Sequence, residues 1–379
     1  MTAALLALVP ILGLAQHGGM GGGGGGGGMT SGGSMSGSAG GSGMTNGMSN
    51  EMGTRMAPST GMSGLRDARR MHAEALQQGH RDLLGFDPHG DLIVRNELVG
   101  IGATTQGLAV AQAAGFVIAR QSELEGLDAN VVVLMAPQGL SARKALKQLR
   151  ELDPDASYDF NHLYFKGGTD AAAASVPAQP SVGDGQQTLA RRVGLIDGGV
   201  ESGHAALRSL TLHTHGCNGT VVPSSHGTAI ASRLVVGFSD ATSTMISVDL
   251  YVADVYCDAP TGGSTDAVVQ ALAWLMQQDV PVINVSLVGP PNVLLQRAIQ
   301  MALARGHLIV AAVGNDGPSA PPLYPAAYPG VVAVTAVDRA DKVLIEAGRG
   351  QFIAFAAPGA DIDAASLPSG YSPVRGTSF

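Results

Sequence analysis

The chain has 379 residues, of which 45% are apolar and 14% are charged, and its formal net charge at pH 7 is -8. That length and apolar content suffice for one sizeable hydrophobic core and a smaller one. The acidic balance leaves no basic face for a phosphate backbone, which argues against nucleic acid as a partner.

An apolar segment opens the sequence and predicts export. Residues 1–15 include TAALLALVPILGLA, which is too short to span a bilayer and ends on small residues suited to cleavage before Gln16. We therefore expect a signal peptide and a secreted, periplasmic or cell-envelope protein. Because no Lys or Arg precedes the run, a misplaced start codon and an N-terminal anchor remain alternatives. No other stretch is long enough to cross a membrane.

The next two segments predict little packed structure. Residues 16–64 are mostly glycine, serine and methionine, and such a chain cannot bury enough apolar area to offset its ordering entropy. We expect a flexible tether, with copper binding by the methionine thioethers as an alternative. Within residues 65–90, apolar residues at helical spacing predict a short surface helix from Leu65 to Leu84, followed by a connector.

Residues 91–165 alternate between strand and helix periodicity in the order β-α-β-β-α-β. This order predicts a small α+β domain of the split-βαβ, ferredoxin-like kind. Ser141 is the expected N-cap of its second helix. Residues 166–189, rich in Pro, Gly and Gln, predict an exposed linker and a domain boundary.

Residues 190–379 predict a second and larger domain. Its strands are nearly continuous apolar runs, as expected for parallel strands covered on both faces, and helical stretches separate several of them. Ser264 caps one predicted helix and Gly306 ends another. The pattern predicts a doubly wound, mainly parallel α/β sheet, whose ligands bind at the carboxyl ends of its strands.

Four reactive side chains follow these strands or their loops: Asp197, His226, Asn315 and Ser378. An acid, a base, an amide donor and a hydroxyl are the groups that acyl transfer needs. Taken singly, each has an ordinary structural explanation as a turn or a cap residue.

Together, the ordered motifs LIDGGVESGHAAL, HGTAIAS, INVSLVGP, AAVGNDGP and RGTSF resemble the subtilisin-like (subtilase) serine proteases over residues 191–379. The resemblance implies a secreted endopeptidase with Ser378 as nucleophile, His226 as general base and Asp197 orienting the imidazole. Asn315 and the backbone N–H of Ser378 would form the oxyanion hole.

The resemblance also implies the substrate site and the partners. The substrate-binding strand would comprise Ser286, Leu287, Val288 and Gly289, and the substrates would be proteins or peptides. No cofactor is implied, and structural calcium is left open. Two positions depart from the family pattern: Gly198 replaces a hydroxyl residue, and Val288 replaces a glycine of the cleft wall, so the residue preference cannot be transferred from the family.

Position suggests a role for residues 91–165. Members of this family often carry an amino-terminal propeptide of this plan, which inhibits the enzyme by leaving its final strand in the cleft. Here YDFNHLYF, Tyr158 to Phe165, is the expected cleft strand, binding by backbone pairing. An accessory domain without inhibitory function is the alternative.

The sequence ends one residue after Ser378, where the family continues into a buried helix. We interpret this ending as a truncated copy of a protease, from an incomplete gene or a premature stop. The alternative function is a catalytically dead protein that keeps the fold as a binding or scaffolding module.

Cys217 and Cys257 are the two cysteines. An even count in an exported chain predicts a disulfide. The segment HTHGC offers an alternative, because His213, His215 and Cys217 would share one face of a strand and could bind zinc or copper.

Overall fold

The structure is a computed structural model that describes residues 63–169, 191–236 and 248–379. The predicted signal peptide, nearly all of the glycine-rich tether with its methionines, and most of the predicted linker lie outside these residues. The described residues belong to one compact unit, Ala57–Phe379.

The N-terminal half is a small sandwich of helices on an antiparallel sheet. In chain order its elements are α1 (Ser63–Gly79), β1 (Leu84–Phe86), β2 (Leu92–Ile101), α2 (Thr105–Ala113), β3 (Val117–Leu124), β4 (Ala129–Met135), α3 (Ala142–Leu152) and β5 (Ser157–His162). From β2 to β5 this is the predicted β-α-β-β-α-β order, and the strands pair as β5-β2-β4-β3. Helix α1 ends at Gly79 rather than near Leu84, because Leu84 pairs with β2 as a strand.

The C-terminal half is built on a parallel sheet. Two short strands, β6 (Phe165–Lys166) and β7 (Gly168–Thr169), lead towards it. Its elements are β8 (Arg191–Asp197), β9 (Leu210–His215), α4 (Ser225–Val236), β10 (Val248–Asp254), α5 (Thr265–Gln277), β11 (Val282–Val285), β12 (Leu287–Val288), α6 (Val293–Ala304), β13 (Leu308–Ala312), β14 (Val332–Val337), β15 (Ile353–Pro358), β16 (Ala360–Ala365) and β17 (Tyr371–Gly376). Seven strands form one sheet in the order β15-β14-β13-β11-β8-β10-β9, all parallel.

Both faces of the parallel sheet are covered, which explains its nearly continuous apolar strands. On β8, Leu195 packs with Ile230 of α4 on one face. The next residue, Ile196, packs with Leu272 of α5 and Leu295 of α6 on the other. The predicted doubly wound α/β fold is therefore confirmed.

The two halves share a hydrophobic core and a polar seam. Val99 of β2 and Val133 of β4 lie in the same buried cluster as residues of α5 and α6. At the ends of these helices, the Asp159 carboxylate accepts the Val293 N–H at 2.8 Å, and the Asn161 side-chain oxygen accepts the Asp266 N–H at 3.2 Å. Since the first N–H groups of a helix lack partners within it, the N-terminal sheet satisfies donors of the C-terminal half.

A second polar contact closes the same seam. The Arg120 guanidinium binds Glu97 at 2.8 Å within its own half and Asp266 at 3.1 Å across the seam. In the part of the chain that the structure describes, no helix is long and apolar enough to cross a membrane.

The two cysteines form a disulfide, with Cα atoms 5.2 Å apart. Cys217 follows β9 and Cys257 follows β10, two paired strands. The histidines of the alternative metal site stack on aromatic rings instead, His213 on Tyr251 and His215 on Trp274. Because the Cys217 sulfur is in the disulfide, the sequence HTHGC lacks the thiolate that the metal hypothesis required.

Candidate active site

Asp197 and His226 form a fully buried pair. Asp197 ends β8, an interior strand of the parallel sheet, and His226 lies in the first turn of α4. The His226 Nδ1 atom lies 3.0 and 2.9 Å from the two carboxylate oxygens of Asp197. The Gly198 N–H donates to the same carboxylate at 2.7 Å, so the acid is held from two sides. The hydrogen bond between His226 and Asp197 fixes Nδ1 of His226 as the protonated nitrogen and leaves Nε2 as a base.

Asn315 is oriented by the segment that contains Ser378. Its Oδ1 atom accepts the Thr377 N–H at 3.1 Å, which leaves the Nδ2 amide as its free donor. The Thr377 hydroxyl in turn accepts the Gly314 N–H at 3.1 Å. Two hydrogen bonds therefore tie the Asn315 loop to the residues preceding Ser378.

Three buried polar atoms of this cluster have no hydrogen-bond partner in the described parts of the chain: His226 Nε2, Asn315 Nδ2 and Ser378 Oγ. Buried polar groups are almost always paired, so each unpaired one needs an explanation. Here all three belong to residues that the sequence selected. A base, an amide donor and a hydroxyl are left free for a fourth group, and Ser378 and His226 do not hydrogen-bond to each other.

The chain's own segment 164–169 occupies the cleft beside these atoms. Strand β6 pairs antiparallel with β12, so that Lys166 lies opposite Leu287 and Phe165 opposite Val288. Strand β7 pairs antiparallel with β17, which leads to Ser378. The sequence placed the cleft strand at Tyr158–Phe165, but residues 157–162 are β5 of the N-terminal sheet. Most of the cleft segment falls in the predicted linker.

Gly167 lies at the centre of the cleft segment, between β6 and β7. Its N–H donates to the Ser286 carbonyl at 3.2 Å. A Cβ atom added to Gly167 would lie 2.8 Å from Ser378 Oγ. The backbone of residue 167 therefore passes directly by the hydroxyl of Ser378. This backbone is bound by Ser286, the first residue of the predicted substrate strand.

The C-terminal half of the chain matches a known protein family. The Subtilase family pattern matches residues 191–379. Subtilisin DY from Bacillus licheniformis is 31% identical over 198 residues, which cover 50% of this chain and 71% of that protein. The chain belongs to the subtilase family. Subtilisin E from Bacillus subtilis (strain 168) is 27% identical over 249 residues, covering 62% of this chain and 65% of that protein.

The match to solved structures extends into the N-terminal half. Fervidolysin from Fervidobacterium pennivorans, a keratinolytic enzyme related to subtilisin, aligns with a TM-score of 0.59 at 17% identity. The alignment covers 78% of this chain and 54% of that one, more than residues 191–379 alone span, and supports the fold. The chain spans about two thirds of the subtilisins it matches.

In this subtilase, hydrogen bonds at Tyr164 fix the cleft segment upstream of Gly167. The backbone N–H of Tyr164 donates to the Gly263 carbonyl at 2.8 Å. The hydroxyl of Tyr164 donates to the Pro290 carbonyl at 2.9 Å, and its ring packs on Gly289. The Tyr256 hydroxyl donates to the Tyr164 carbonyl at 3.1 Å. Burial, reinforced by nearby carboxylates, raises the pKa of Tyr256 well above 10, so this donor stays protonated.

Helix α1 adds a contact that the sequence did not reveal. Arg69 binds Asp316, the residue after Asn315, at 2.8 Å, and the His72 ring meets the Phe165 ring edge-on at 5.5 Å. Burial raises the pKa of Asp316 while the Arg69 charge opposes that rise. The helix thus contacts both the cleft segment and the loop that holds Asn315.

One of the two departures from the family pattern, Gly198, has a structural explanation. Gly198 leaves room for Ser224, whose hydroxyl would lie 2.4 Å from a Cβ at position 198 and which accepts the Gly227 N–H at 3.0 Å. Sequence reasoning missed Ser224, although it stands two residues before His226. It also missed Gly167, for which the glycine pair after Lys166 was the available signal.

Proposed function

We propose that this subtilase is a serine endopeptidase that hydrolyses peptide bonds through Asp197, His226 and Ser378. The observation that supports it best is that His226, Asn315 and Ser378 each keep a buried polar atom unpaired, while His226 is already bonded to a buried aspartate. A cleft that only bound a partner would not need an unpaired base and an unpaired hydroxyl together.

The proposed reaction is acyl transfer in two steps. Ser378 Oγ attacks the substrate carbonyl carbon while its proton passes to His226 Nε2, and Asp197 stabilises the imidazolium. The Asn315 amide and the Ser378 N–H stabilise the oxyanion. The C–N bond breaks as the leaving amine takes the proton from His226. Water then attacks the acyl-enzyme with His226 again as base, which releases the acid and restores Ser378.

The test uses the protein expressed from its complete gene. We expect hydrolysis of casein, and covalent labelling of Ser378 by a serine-directed phosphonate. Ser378→Ala should abolish both, whereas Ser372→Ala, at a buried serine of β17 on the same segment, should retain both. Absence of hydrolysis and labelling in a folded wild-type protein would favour the binding or scaffolding module.

We also propose that the N-terminal half inhibits the enzyme and is removed by self-cleavage. The pairing of residues 165–169 with β12 and β17 supports this, because a substrate would need the same backbone partners. Because the Gly167 backbone passes beside Ser378 Oγ, we take its carbonyl as the one attacked, so the first cut would separate Gly167 from Gly168. The uncut form should persist in Ser378→Ala.

Export is proposed on two features. One is the short apolar N-terminal segment, and the other is the disulfide between Cys217 and Cys257, a bond that persists in oxidising compartments. Mass spectrometry of protein collected outside the cytoplasm should show an N terminus at or after Gln16.

A further inference from the structure

Two apolar side chains pack against the turn that precedes Asn315. Val288 and Leu323 are 2% and 4% exposed, respectively. Both pack against Gly314, the residue before Asn315: a Cβ there would lie 2.6 Å from a Leu323 methyl and 3.4 Å from a Val288 methyl. Gly314 has φ +91°, so glycine is required at this turn, and its open side is closed by Val288 and Leu323.

A side chain on the residue at position 167 would begin beside Ser378, Ser286 and Ala312. The Cβ built on Gly167 lies 2.8 Å from Ser378 Oγ, 3.6 Å from the Ser286 carbonyl oxygen and 3.9 Å from the Ala312 Cβ. These three groups bound the space between β12 and the end of β13. Gly314 lies two residues after Ala312, so further atoms would extend from this space towards Gly314. We call the space along this path the slot, and Val288 and Leu323, which pack against Gly314, close its far end.

We infer that the cleft selects substrates with glycine as the residue whose carbonyl Ser378 attacks, and that Val288 and Leu323 set this preference. The inference rests on the proposed function and names its substrate class: extended peptides cut after glycine. One water is consumed for each C–N bond broken after that glycine, which leaves a glycine carboxylate and a free amine. The chain's own cleft segment, with Gly167 at this position, is the first such substrate.

On the other side of the attacked bond the backbone pairing differs. Gly168 belongs to β7, which pairs along β17 rather than against Val288 or Leu323. A larger residue at position 168 therefore provides a matched control for one at position 167.

The test compares three hexapeptides with the protein expressed from its complete gene. One copies residues 164–169, the second has leucine in place of the glycine at position 167, and the third has leucine in place of the glycine at position 168. We expect the second peptide to show kcat/KM lower by about tenfold to 200-fold, the range for one ill-fitting apolar side chain. The third should stay within a few-fold of the first.

Opening the slot provides the second arm. Val288→Gly combined with Leu323→Gly should raise kcat/KM for the leucine-167 peptide relative to the parent peptide by a similar factor. If this variant does not fold, Val288→Ala alone should shift the ratio in the same direction. The comparison of the three hexapeptides with wild-type protein tests the glycine preference even if neither variant folds.

The outcomes separate this inference from the proposed function. Equal cleavage of the first two peptides by wild-type protein, with Ser378 labelled by the phosphonate, overturns the glycine preference and leaves the peptidase intact. A folded protein that cuts no peptide and does not react with the phosphonate overturns both. Unchanged ratios in the slot-opening variants overturn the roles of Val288 and Leu323.

Discussion

Buried polar groups are paired in the seam between the two halves, whereas some are unpaired in the cleft around Ser378. In the seam, Asp159, Asn161 and Arg120 each bond to a partner across or beside the interface. In the cleft, the imidazole of His226 and the hydroxyl of Ser378 each keep a buried atom unpaired. Unpaired buried groups cost stability, so the seam contributes to folding while the cleft gives up stability for reactivity.

The largest expected effect concerns the cleft. His226→Ala should lower kcat on the order of 10⁶-fold, the size known for subtilisin, a relative, because Ser378 loses its base. Both His226→Ala and Asp197→Ala lose the hydrogen bond between Nδ1 and the carboxylate, and His226→Ala also leaves the buried Asp197 carboxylate without its imidazole. The unfolding free energy of His226→Ala should therefore fall at least as far as that of Asp197→Ala. Urea denaturation of both variants checks this, and a loss of stability in Asp197→Ala alone would contradict it.

The next effect concerns the seam. Asp159→Ala removes the acceptor of the Val293 N–H at the start of α6 and should cost about 0.5–2 kcal/mol of unfolding free energy, with the protein kept in its uncut form by Ser378→Ala. Asp155→Ala, at an exposed acid of the same half, is the matched control. Equal losses for the two would mean that Asp159 is not a cap.

Helix α1 provides a weaker test, because its ion pair is partly exposed to solvent. Arg69→Ala should cost less than about 1 kcal/mol, yet it should make α1 more susceptible to limited proteolysis by trypsin. Arg70→Ala is the control, since Arg70 pairs with Asp67 and Glu74 of the same helix. Identical digestion of the two variants would argue against a role for Arg69 in docking the helix.

The smallest effect is a pH dependence outside both regions. Although part of the His215 side chain is exposed, partial desolvation of its ring lowers the pKa of His215 from its usual 6.5, so the folded chain binds this proton less readily than the unfolded chain does. The unfolding free energy should therefore fall as the pH drops below about 6.5, until the lowered pKa is passed. His215→Asn should reduce this slope, measured by urea denaturation between pH 7 and pH 5. If the slope of unfolding free energy against pH is unchanged in His215→Asn, His215 does not cause this pH dependence.

The sequence predicted what is local and missed what depends on tertiary pairing. Asp197 and His226 stand in short motifs at a strand end and a helix start, so their positions could be predicted from neighbouring residues. Gly167 could not, because only the antiparallel register of β6 on β12 brings it opposite Ser378. Likewise, nothing in the sequence of α1 indicates that Arg69 pairs with Asp316, far away along the chain.

The bond cut by the protein itself tests the central claim most directly. Intact mass spectrometry of the protein expressed from its complete gene should show two products, one ending at Gly167 and the other beginning at Gly168. Neither should form in Ser378→Ala. A first cut elsewhere, or the same products from Ser378→Ala, would contradict the proposal that residues 164–169 lie in the cleft as the substrate of Ser378.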